Sequence, residues 1–519
     1  MTAPFLEWDD AVNLAQNPHW RGFTPANIRW MLTTMFGGPY QPLSWLSFAF
    51  DFTLWGANPA AMRMTNYALH GSSSVLFYLI VEDLIRKASP SSSSRERLIA
   101  ALFASLFWAV HPLRVESVVW LTERRDVLSG FFYLLAVWLY IREPEKPLRP
   151  LTAFCLAVLS KASVITLPLT LILLDRWPLR RRAWADKIPY FLIAAAAAAA
   201  GLAGQQAYGT LKGAGAALGV HSLWWYAAKT AWPSGLSPYH GMPDGFGFAS
   251  PAVWGGALAL AVAGAAAWRL RRRAPAVGFA LLQYALALLP LAGFLRFGHH
   301  LTAERYSYLP GLSLSALAGA ALLAARGRDA LRRPTSAVAV TVIVGCAALA
   351  ARGAGYWSGT ESLWRRTLAV DPGSAYARVN LGGHLTRLGG DALGEKDYTR
   401  AEKLLRAAIE ADPGLAAAHY NLAGVLGGLE RRAEELAELE QAARLDFDDA
   451  AILNNLGAAL SVSGRYARAE AALRRAIELD PSWPAPFHNL GNTLKAQSRG
   501  REAAAAYAEA ARLKAPKTR

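Results

Sequence analysis

The sequence predicts an all-α protein in two parts: a polytopic helical membrane domain over residues 1–355, then an α-solenoid of paired helices over 356–519. Three observations carry this. Apolar residues make up 53% of the 519 and charged residues 18%, against about 25% charged in an ordinary soluble protein. That excludes a disordered chain and argues against a wholly soluble enzyme. The apolarity is concentrated before residue 355, and beyond it Ala, Leu, Glu and Arg take over at helical spacing with a fixed period. Cysteine is rare, with Cys155 and Cys346 both inside apolar runs. Neither a disulfide framework nor a cysteine metal site is expected.

In chain order, apolar stretches run at 65–85, 98–111, 127–141, 151–174, 188–204, 252–268, 276–295, 308–325 and 335–351. Several reach the roughly 20 residues that cross a bilayer. Charge settles the topology. The connections 86–97, 142–149, 175–187, 269–273 and 326–333 carry 20 Lys and Arg, whereas 111–126, 205–250 and 296–307 carry 7 although they are longer. Basic loops stay cytoplasmic. The alternation closes only if 151–174 enters and leaves on the cytoplasmic side, as two short helices meeting near Lys161. Residues 1–63, the large loops and everything after 352 then face outward. The net charge of +16 is thereby explained by topology, and nucleic-acid binding is not required. Trp45–Trp55, with Asp51, reads as an amphipathic stretch lying in the membrane surface. His70 and Asn66 share one face of the first long helix, as a polar contact between helices would. No signal peptide precedes Trp8, and a late start at Met1 is the favoured account of how the first loop reaches the outer side.

After 355 the triplets Asn421-Leu422-Ala423, Asn455-Leu456-Gly457 and Asn489-Leu490-Gly491 recur every 34 residues. Asn380-Leu381-Gly382 precedes them by one period plus a seven-residue insertion near Gly389–Lys396. Ala408, Ala442, Ala476 and Ala510 mark the second helix of each pair, and Asp412-Pro413 and Asp480-Pro481 follow helix ends. This is the tetratricopeptide pattern, in which small residues let paired helices pack closely and stacked pairs share a core. Repeat two departs, with Glu435 where its neighbours have Ala401, Ala469 and Ala503. Ser362–Asp371 reads as a lone helix joining the membrane part to the array. Such arrays present a concave surface to peptides or partner helices.

Four polar groups border or interrupt the apolar spans. They are Glu7-Trp8-Asp9-Asp10; His111 through Glu116, followed by Glu123-Arg124-Arg125-Asp126; His299-His300 with Glu304-Arg305-Tyr306; and Lys161 inside an apolar stretch. Each admits a plainer account: a solvated acidic pair, a helix cap, a salt-bridged turn, a snorkelling lysine. An ionisable residue at the depth of Lys161 is costly, however, and function is its default reading. Together the groups supply a carboxylate base for an acceptor hydroxyl, with Lys161 and Arg305 as cations for a phosphate that leaves. No Walker loop or dinucleotide glycine fingerprint competes with a lipid-phosphate donor.

The strings EWDDAVNLAQNPHWRGFTPANIRW, YQPLSWLSFAFDFTLWGANPAAMRMTNYALH, HPLRVESVVWLTERRDVLSGFFYLLA, LSKASVITLP and GHHLTAERYSYLP resemble, in the same order, the transmembrane and tetratricopeptide repeat family of GT-C-fold glycosyltransferases. The resemblance implies transfer of a sugar, mannose or another hexose, from a polyprenyl-phosphate donor to a hydroxyl acceptor with inversion. Protein Ser/Thr is the expected acceptor, chosen by the repeats. It puts the catalytic base on Asp9 or Asp10 and the donor phosphate on Arg305 and Lys161. Further active-site candidates are His111, Glu116, Glu123, Arg124, Asp126, Glu304 and Tyr306. Some GT-C enzymes use a divalent metal such as Mg or Mn at the acidic motif. Ala11 stands where bacterial relatives often carry a third acid, and Gln41 where an Arg often precedes Pro-Leu. The family's first membrane helix, which precedes Trp8, is absent from these residues. A bacterial cytoplasmic membrane, with the site and repeats on the periplasmic side, is the expected setting; a non-catalytic membrane-anchored scaffold and a lipid-linked-sugar flippase are the other classes.

Overall fold

The computed structural model describes residues 4–181, 184–209, 211–297 and 300–514. It divides into two compact units, Met1–Pro372 and Gly373–Arg519.

In the first unit, each apolar stretch becomes a helix whose ends fall where caps and prolines put them. Two short helices, α1 (Pro25–Thr33) and α2 (Pro42–Trp55), lead into the 30-residue α3 (Pro59–Ala88). Asn58 caps α3 by accepting from the amides of Ala60 and Ala61, with Pro59 at the first helical position. Next come α4 (Ser94–Ala109), the short α5 (Val115–Val119), α6 (Arg124–Arg142), α7 (Leu148–Ser160), α8 (Leu167–Leu174) and α9 (Ile188–Ala207). Then β1 (Leu211–Ala214), α10 (Ala216–Ala231), β2 (His240–Gly241), α11 (Pro251–Leu270), α12 (Pro275–Leu288), β3 (Leu295–Phe297) and β4 (His300–Thr302) follow. The unit closes with α13 (Pro310–Arg326), α14 (Asp329–Tyr356) and α15 (Thr360–Val370). The strands form two antiparallel pairs, β1 with β3 and β2 with β4. Among the described residues five stretches are long and apolar enough to cross a membrane: Pro59–Ala88, Ala162–Leu179, Ala185–Ala207, Pro251–Leu270 and Asp329–Tyr356. A sixth, Ser94–Ala109 with Pro112–Val119, is bent by 55°, where Pro112 cannot continue the amide ladder.

The outer faces fit a lipid setting. On α11, Trp254, Leu258 and Val262 are each more than 60% exposed, as are Val338, Val340 and Val344 on α14. Water would not tolerate such faces on a monomer. Inside, small residues allow close approach. A side chain on Gly319 of α13 would meet the Ala100 carbonyl of α4 at 2.7 Å, and one on Gly130 of α6 would strike the Tyr308 ring at 2.5 Å. Tyr308 in turn meets His70 Nδ1 through its hydroxyl (2.9 Å) and accepts from Trp108 Nε1 at its carbonyl (2.9 Å). The expected interhelical role of His70 is what the structure shows.

Polar side chains sort the helix ends. Buried Asp83 pairs with Arg86 and Arg142, and buried Asp175 with Lys187. These contacts gather the basic connections after α3, α6 and α8 at one end. From there α7 runs about 20 Å to Lys161, where the chain turns through a 3-10 segment (Ala162–Thr166) and α8 returns to Asp175. Lys161 thus stands at the apex of two short helices that start and finish at the same end, as the charge count requires.

Two expectations need correction. The segment 205–250 was expected to be loop, yet it contains α10; its core-facing Tyr226 bonds both the amide and carbonyl of Ala303. The boundary at 355 falls too early. Helix α15 packs on the first unit through buried Leu363 and Trp364, and Trp364 meets Trp8 edge-on at 5.2 Å.

The second unit holds four helix pairs: α16 (Ala375–Gly394) with α17 (Tyr398–Ala411), α18 (Ala416–Gly428) with α19 (Arg432–Leu445), α20 (Ala450–Val462) with α21 (Tyr466–Leu479), and α22 (Pro484–Ala496) with α23 (Gly500–Lys514). The seven-residue insertion lengthens α16, which has 20 residues where α18, α20 and α22 have 13. Ala408, Ala442 and Ala476 are fully buried. A side chain on Gly457 would meet Leu473 at 2.5 Å, and one on Gly491 would meet Tyr507 at 2.5 Å. The recurring asparagines tie successive repeats: Asn455 Nδ2 donates to the Tyr420 hydroxyl (3.0 Å) and Asn489 Nδ2 to Asn454 Oδ1 (2.8 Å). The irregular Glu435 lies over Gly427, whose missing side chain leaves it room, and pairs with Arg432 at 2.8 Å.

Candidate active site

At the end of the first unit away from the basic connections, α4 finishes and α6 and α13 begin. The chain between α4 and α6 folds back on itself: a 3-10 turn at Pro112–Arg114, then α5, an extended Trp120 and a second turn at Leu121–Glu123. It buries Glu116, Glu123 and Asp126 almost completely. Buried carboxylates of this kind persist only when paired.

Glu123 is the hub. It receives a two-pronged contact from Arg125 (2.6 and 3.0 Å), the Lys161 ammonium at 2.9 Å and Arg305 Nε at 3.2 Å. Burial alone would push the Glu123 carboxyl up, but Arg125, Lys161 and Arg305 together hold it well below the ordinary range. Lys161 also binds Asp126 at 2.6 Å, and Asp126 accepts from the Ser117 hydroxyl at 3.1 Å. Glu116 takes the Arg305 guanidinium on one oxygen and the Arg305 amide on the other (2.9 Å). The Arg305 guanidinium lies 5.4 Å from the Trp120 ring centre and 5.0 Å from that of Tyr306, within cation–π range of both.

The N-terminal loop is fastened over this cluster. Trp8 stacks on Trp120 at 4.6 Å with 8° between planes. Arg63 of α3 holds the Pro4 carbonyl (2.9 Å) and the Val119 carbonyl (3.3 Å). The two adjacent aspartates part company. Asp10 turns inward: one oxygen accepts from the amide (3.0 Å) and hydroxyl (2.7 Å) of Thr122, the other from the Leu6 amide (3.4 Å). Burial pushes its carboxyl up to about 6 despite these bonds. Asp9 stays partly exposed and makes no hydrogen bond or ion pair among the described residues. Burial raises its pKa too, against the pull of Arg125 and Arg305.

The Asp10 carboxyl has a measurable consequence. Its native pKa of about 6 lies above the ordinary 3.8, so its contribution to stability is full below pH 4 and is lost as pH rises through 6. Asp10→Asn, which cannot ionise, should remove that slope. In matched thermal melts in detergent, wild type should lose about 2 kcal/mol relative to the variant between pH 4 and pH 7. Parallel curves would refute the assignment.

The remaining candidates lie apart from the hub. Arg124 is wholly buried on the far side of its turn, bound to Asp51 (2.7 Å), to Asn66 and to the Met62 carbonyl (2.6 Å). It fastens α2 and α3 to α6. Asp51 is correspondingly buried, not at the membrane surface as its stretch implied. His111 accepts from the Leu113 amide (3.3 Å) and bonds the Thr230 carbonyl (3.1 Å), capping the turn after α4. Glu304 accepts from the Ser237 amide (2.6 Å) and meets His240 at 3.5 Å, holding the loop before β2. Tyr306 shields Arg305 and bonds His300 at 3.0 Å; His299 lies outside the described residues. Of the candidate set, the structure therefore brings Asp9, Glu116, Glu123, Asp126, Lys161, Arg305 and Tyr306 together, with Asp10 behind them.

Arg125 is the residue the sequence reading passed over in favour of its neighbour. Successive helical residues point about 100° apart, so the string alone does not say which arginine faces the hub. One signal was available: Asp51, the lone acid of an apolar helix, required a buried cation.

For a resident divalent ion the fit is poor. Among the described residues no group of three or more His, Cys, Asp or Glu side chains is placed to hold one. Asp10 has both oxygens committed within the protein, and Glu123 and Asp126 are occupied by cations.

Fold and site together define a multi-pass helical membrane chain carrying tetratricopeptide repeats, with a buried ion-pair hub at one end of its helices. The tetratricopeptide repeat family model matches residues 450–483. Over 156 residues the chain is 31% identical to the protein O-mannosyl-transferase Tmtc3 of Drosophila melanogaster, covering 26% of this chain and 17% of that relative. Over 141 residues it is 28% identical to the protein O-mannosyl-transferase TMTC4 of Homo sapiens (25% and 19%), and over 149 residues 32% identical to TMTC1 of Mus musculus (27% and 15%). The resemblance read from the motifs is thus matched by curated relatives of the same group, and each match spans less than a fifth of the relative's length. Among solved structures, YrrB, a TPR protein with an unusual peptide-binding site, aligns with 30% of this chain and 78% of its own at a TM-score of 0.26 and 21% identity.

Proposed function

We propose that the protein is a polyprenyl-phosphate-sugar-dependent glycosyltransferase of the GT-C type, moving mannose or another hexose to the hydroxyl of protein Ser or Thr with inversion. The observation that carries this is the unengaged carboxylate of Asp9 beside three cations, Arg125, Arg305 and Lys161, gathered on Glu123. Asp9 accepts the proton of the acceptor hydroxyl as its oxygen bonds to the anomeric carbon. The bond from that carbon to the phosphate oxygen breaks, and polyprenyl phosphate leaves. Arg305, Arg125 and Lys161 stabilise the charge that grows on the departing phosphate. Arg305 is held between Trp120 and Tyr306, so it is positioned before the donor arrives. Glu116, Glu123 and Asp126 keep the three cations in place without a bound phosphate. The reading is supported further by the names of the similar relatives. The tetratricopeptide repeats select the acceptor polypeptide, and the setting is a bacterial cytoplasmic membrane with hub and repeats on the periplasmic side.

The test is direct. The full chain in proteoliposomes, given polyprenyl-phosphate mannose and a Ser/Thr peptide pool, should release polyprenyl phosphate and yield hexose-modified peptides. Release with mannose and glucose donors alike no faster than in empty liposomes would overturn the proposal. For sidedness, a Ser358→Cys variant should react with an impermeant thiol reagent in whole cells with a permeabilised outer membrane. Labelling only after lysis would reverse the topology.

One observation favours a non-catalytic scaffold instead. Each of the three cations is already ion-paired, as a purely structural network would be. The scaffold reading expects glycan profiles insensitive to Asp9, whereas the enzyme reading expects them to change.

A further inference from the structure

A cavity of about 760 Å³ lies between α3, α6, α8, α12 and α13, away from the hub. Along α13 its wall runs from Leu309 to Gly327, about 27 Å at the helical rise. That length takes one extended acyl chain. The walls are apolar, with Phe77, Ile80, Val137 and Leu312 among them. The mouth is of another character. Arg273, Arg326 and Arg332 stand there with a single acid, Glu96.

These arginines are not equivalent. Arg326 is buried and bound to Glu96, so its charge is spent inside the protein. Arg332 leans on the highly exposed Asp329 and is itself half exposed (52%). Arg273 is exposed, and its side chain makes no hydrogen bond or ion pair among the described residues. The mouth also sits at the ends of α3, α12 and α13 that carry the basic connections, opposite the ends of α4, α6 and α13 that build the hub.

We propose that this cavity binds an anionic phospholipid, with one acyl chain in the apolar shaft and the phosphate on Arg273 and Arg332. The second chain stays in the surrounding bilayer. The occupant follows from charge complementarity. A neutral or zwitterionic lipid satisfies the shaft but leaves Arg273 without a counter-charge and Arg332 with only the exposed Asp329, whereas an anionic head group pairs with both. Basic pockets between membrane helices at the basic end recognise anionic head groups on this principle, and each arginine near the surface contributes about a fivefold preference. Bound there, the lipid ties α3 to α12 and α13 at the end of the bundle where direct packing is replaced by the cavity. The site is independent of any transfer reaction at the hub.

Native mass spectrometry of the full chain in detergent, titrated with phosphatidylglycerol or phosphatidylcholine, tests it. Phosphatidylglycerol should bind about 25-fold more tightly. Arg273→Gln/Arg332→Gln, both at exposed positions, should reduce it to the phosphatidylcholine level. Ala320→Phe, which fills the shaft, should weaken both lipids while leaving the arginines in place. Equal affinity for the two lipids in the wild type would overturn the proposal, as would phosphatidylglycerol binding unchanged by the double arginine variant. Binding unaffected by Ala320→Phe would show a surface charge effect only and would overturn the shaft.

Discussion

Asp9→Asn should abolish sugar transfer while leaving the protein folded. Asparagine keeps the size of the side chain but cannot take a proton, and general-base catalysis contributes about 10²- to 10⁴-fold. Turnover of polyprenyl-phosphate mannose should fall by that factor. The donor KM should move little, because the cations that hold the phosphate are untouched. The Asp9 side chain makes no hydrogen bond among the described residues, so stability should stay within about 0.5 kcal/mol of wild type. Its raised pKa gives the wild-type rate an acidic limb that begins above the ordinary carboxylate range: as pH falls, Asp9 is protonated and ceases to act as a base. Asp10→Asn is the control. Its carboxylate faces Thr122 and Leu6, so transfer should persist and the change should appear in the pH dependence of thermal stability. Loss of transfer in Asp10→Asn with retention in Asp9→Asn would exchange the two roles. Retention in both would sink the enzyme reading and favour the scaffold.

The sequence disclosed some of this site and hid the rest for identifiable reasons. Repeats announce themselves because the same packing contact recurs, so Gly457 over Leu473 and Gly491 over Tyr507 leave a periodic trace. The membrane helices were legible because lipid demands long apolar runs, and the place of Lys161 because a charge inside such a run needs a partner. Helix α10 was missed because its 16 residues, with His221 and Ser222 in the middle, fall short of a bilayer span of about 20, its placement resting on Tyr226 and Ala303 far apart in the chain. The hub itself depends on contacts between residues 116, 123, 161 and 305, which no local pattern encodes. His111 and Glu304 occur beside hub residues in the string, yet their side chains serve the turn after α4 and the loop before β2. Adjacent position in a motif does not fix direction, and the clearest instance is the pair Arg124 and Arg125.

That pair supports the strongest stability prediction. Arg124 and Asp51 are each at most 1% exposed and meet at 2.7 Å, with the guanidinium also 4.6 Å from the Phe48 ring centre. Asp51→Ala strands a buried cation and should cost about 3–5 kcal/mol, seen as a large fall in the thermal midpoint and in yield of membrane-inserted protein. Removing both charges is different. In Asp51→Leu/Arg124→Met no ion remains to be desolvated, and part of the lost stability should return, less what the Asn66 side chain, the Met62 carbonyl and the Thr65 hydroxyl lose with their partners. Transfer activity should return with it, because Arg124 does not reach the hub. Arg125→Gln should behave in the opposite way. Glu123 keeps Lys161 and Arg305, so the fold survives with a modest loss, but the two-pronged contact that sets Glu123 against Asp9 is gone and transfer should fall by at least tenfold. A double variant that is stable yet inactive would mean that Arg124 does more than join α2 and α3 to α6, and the division of labour between the two arginines would have to be abandoned.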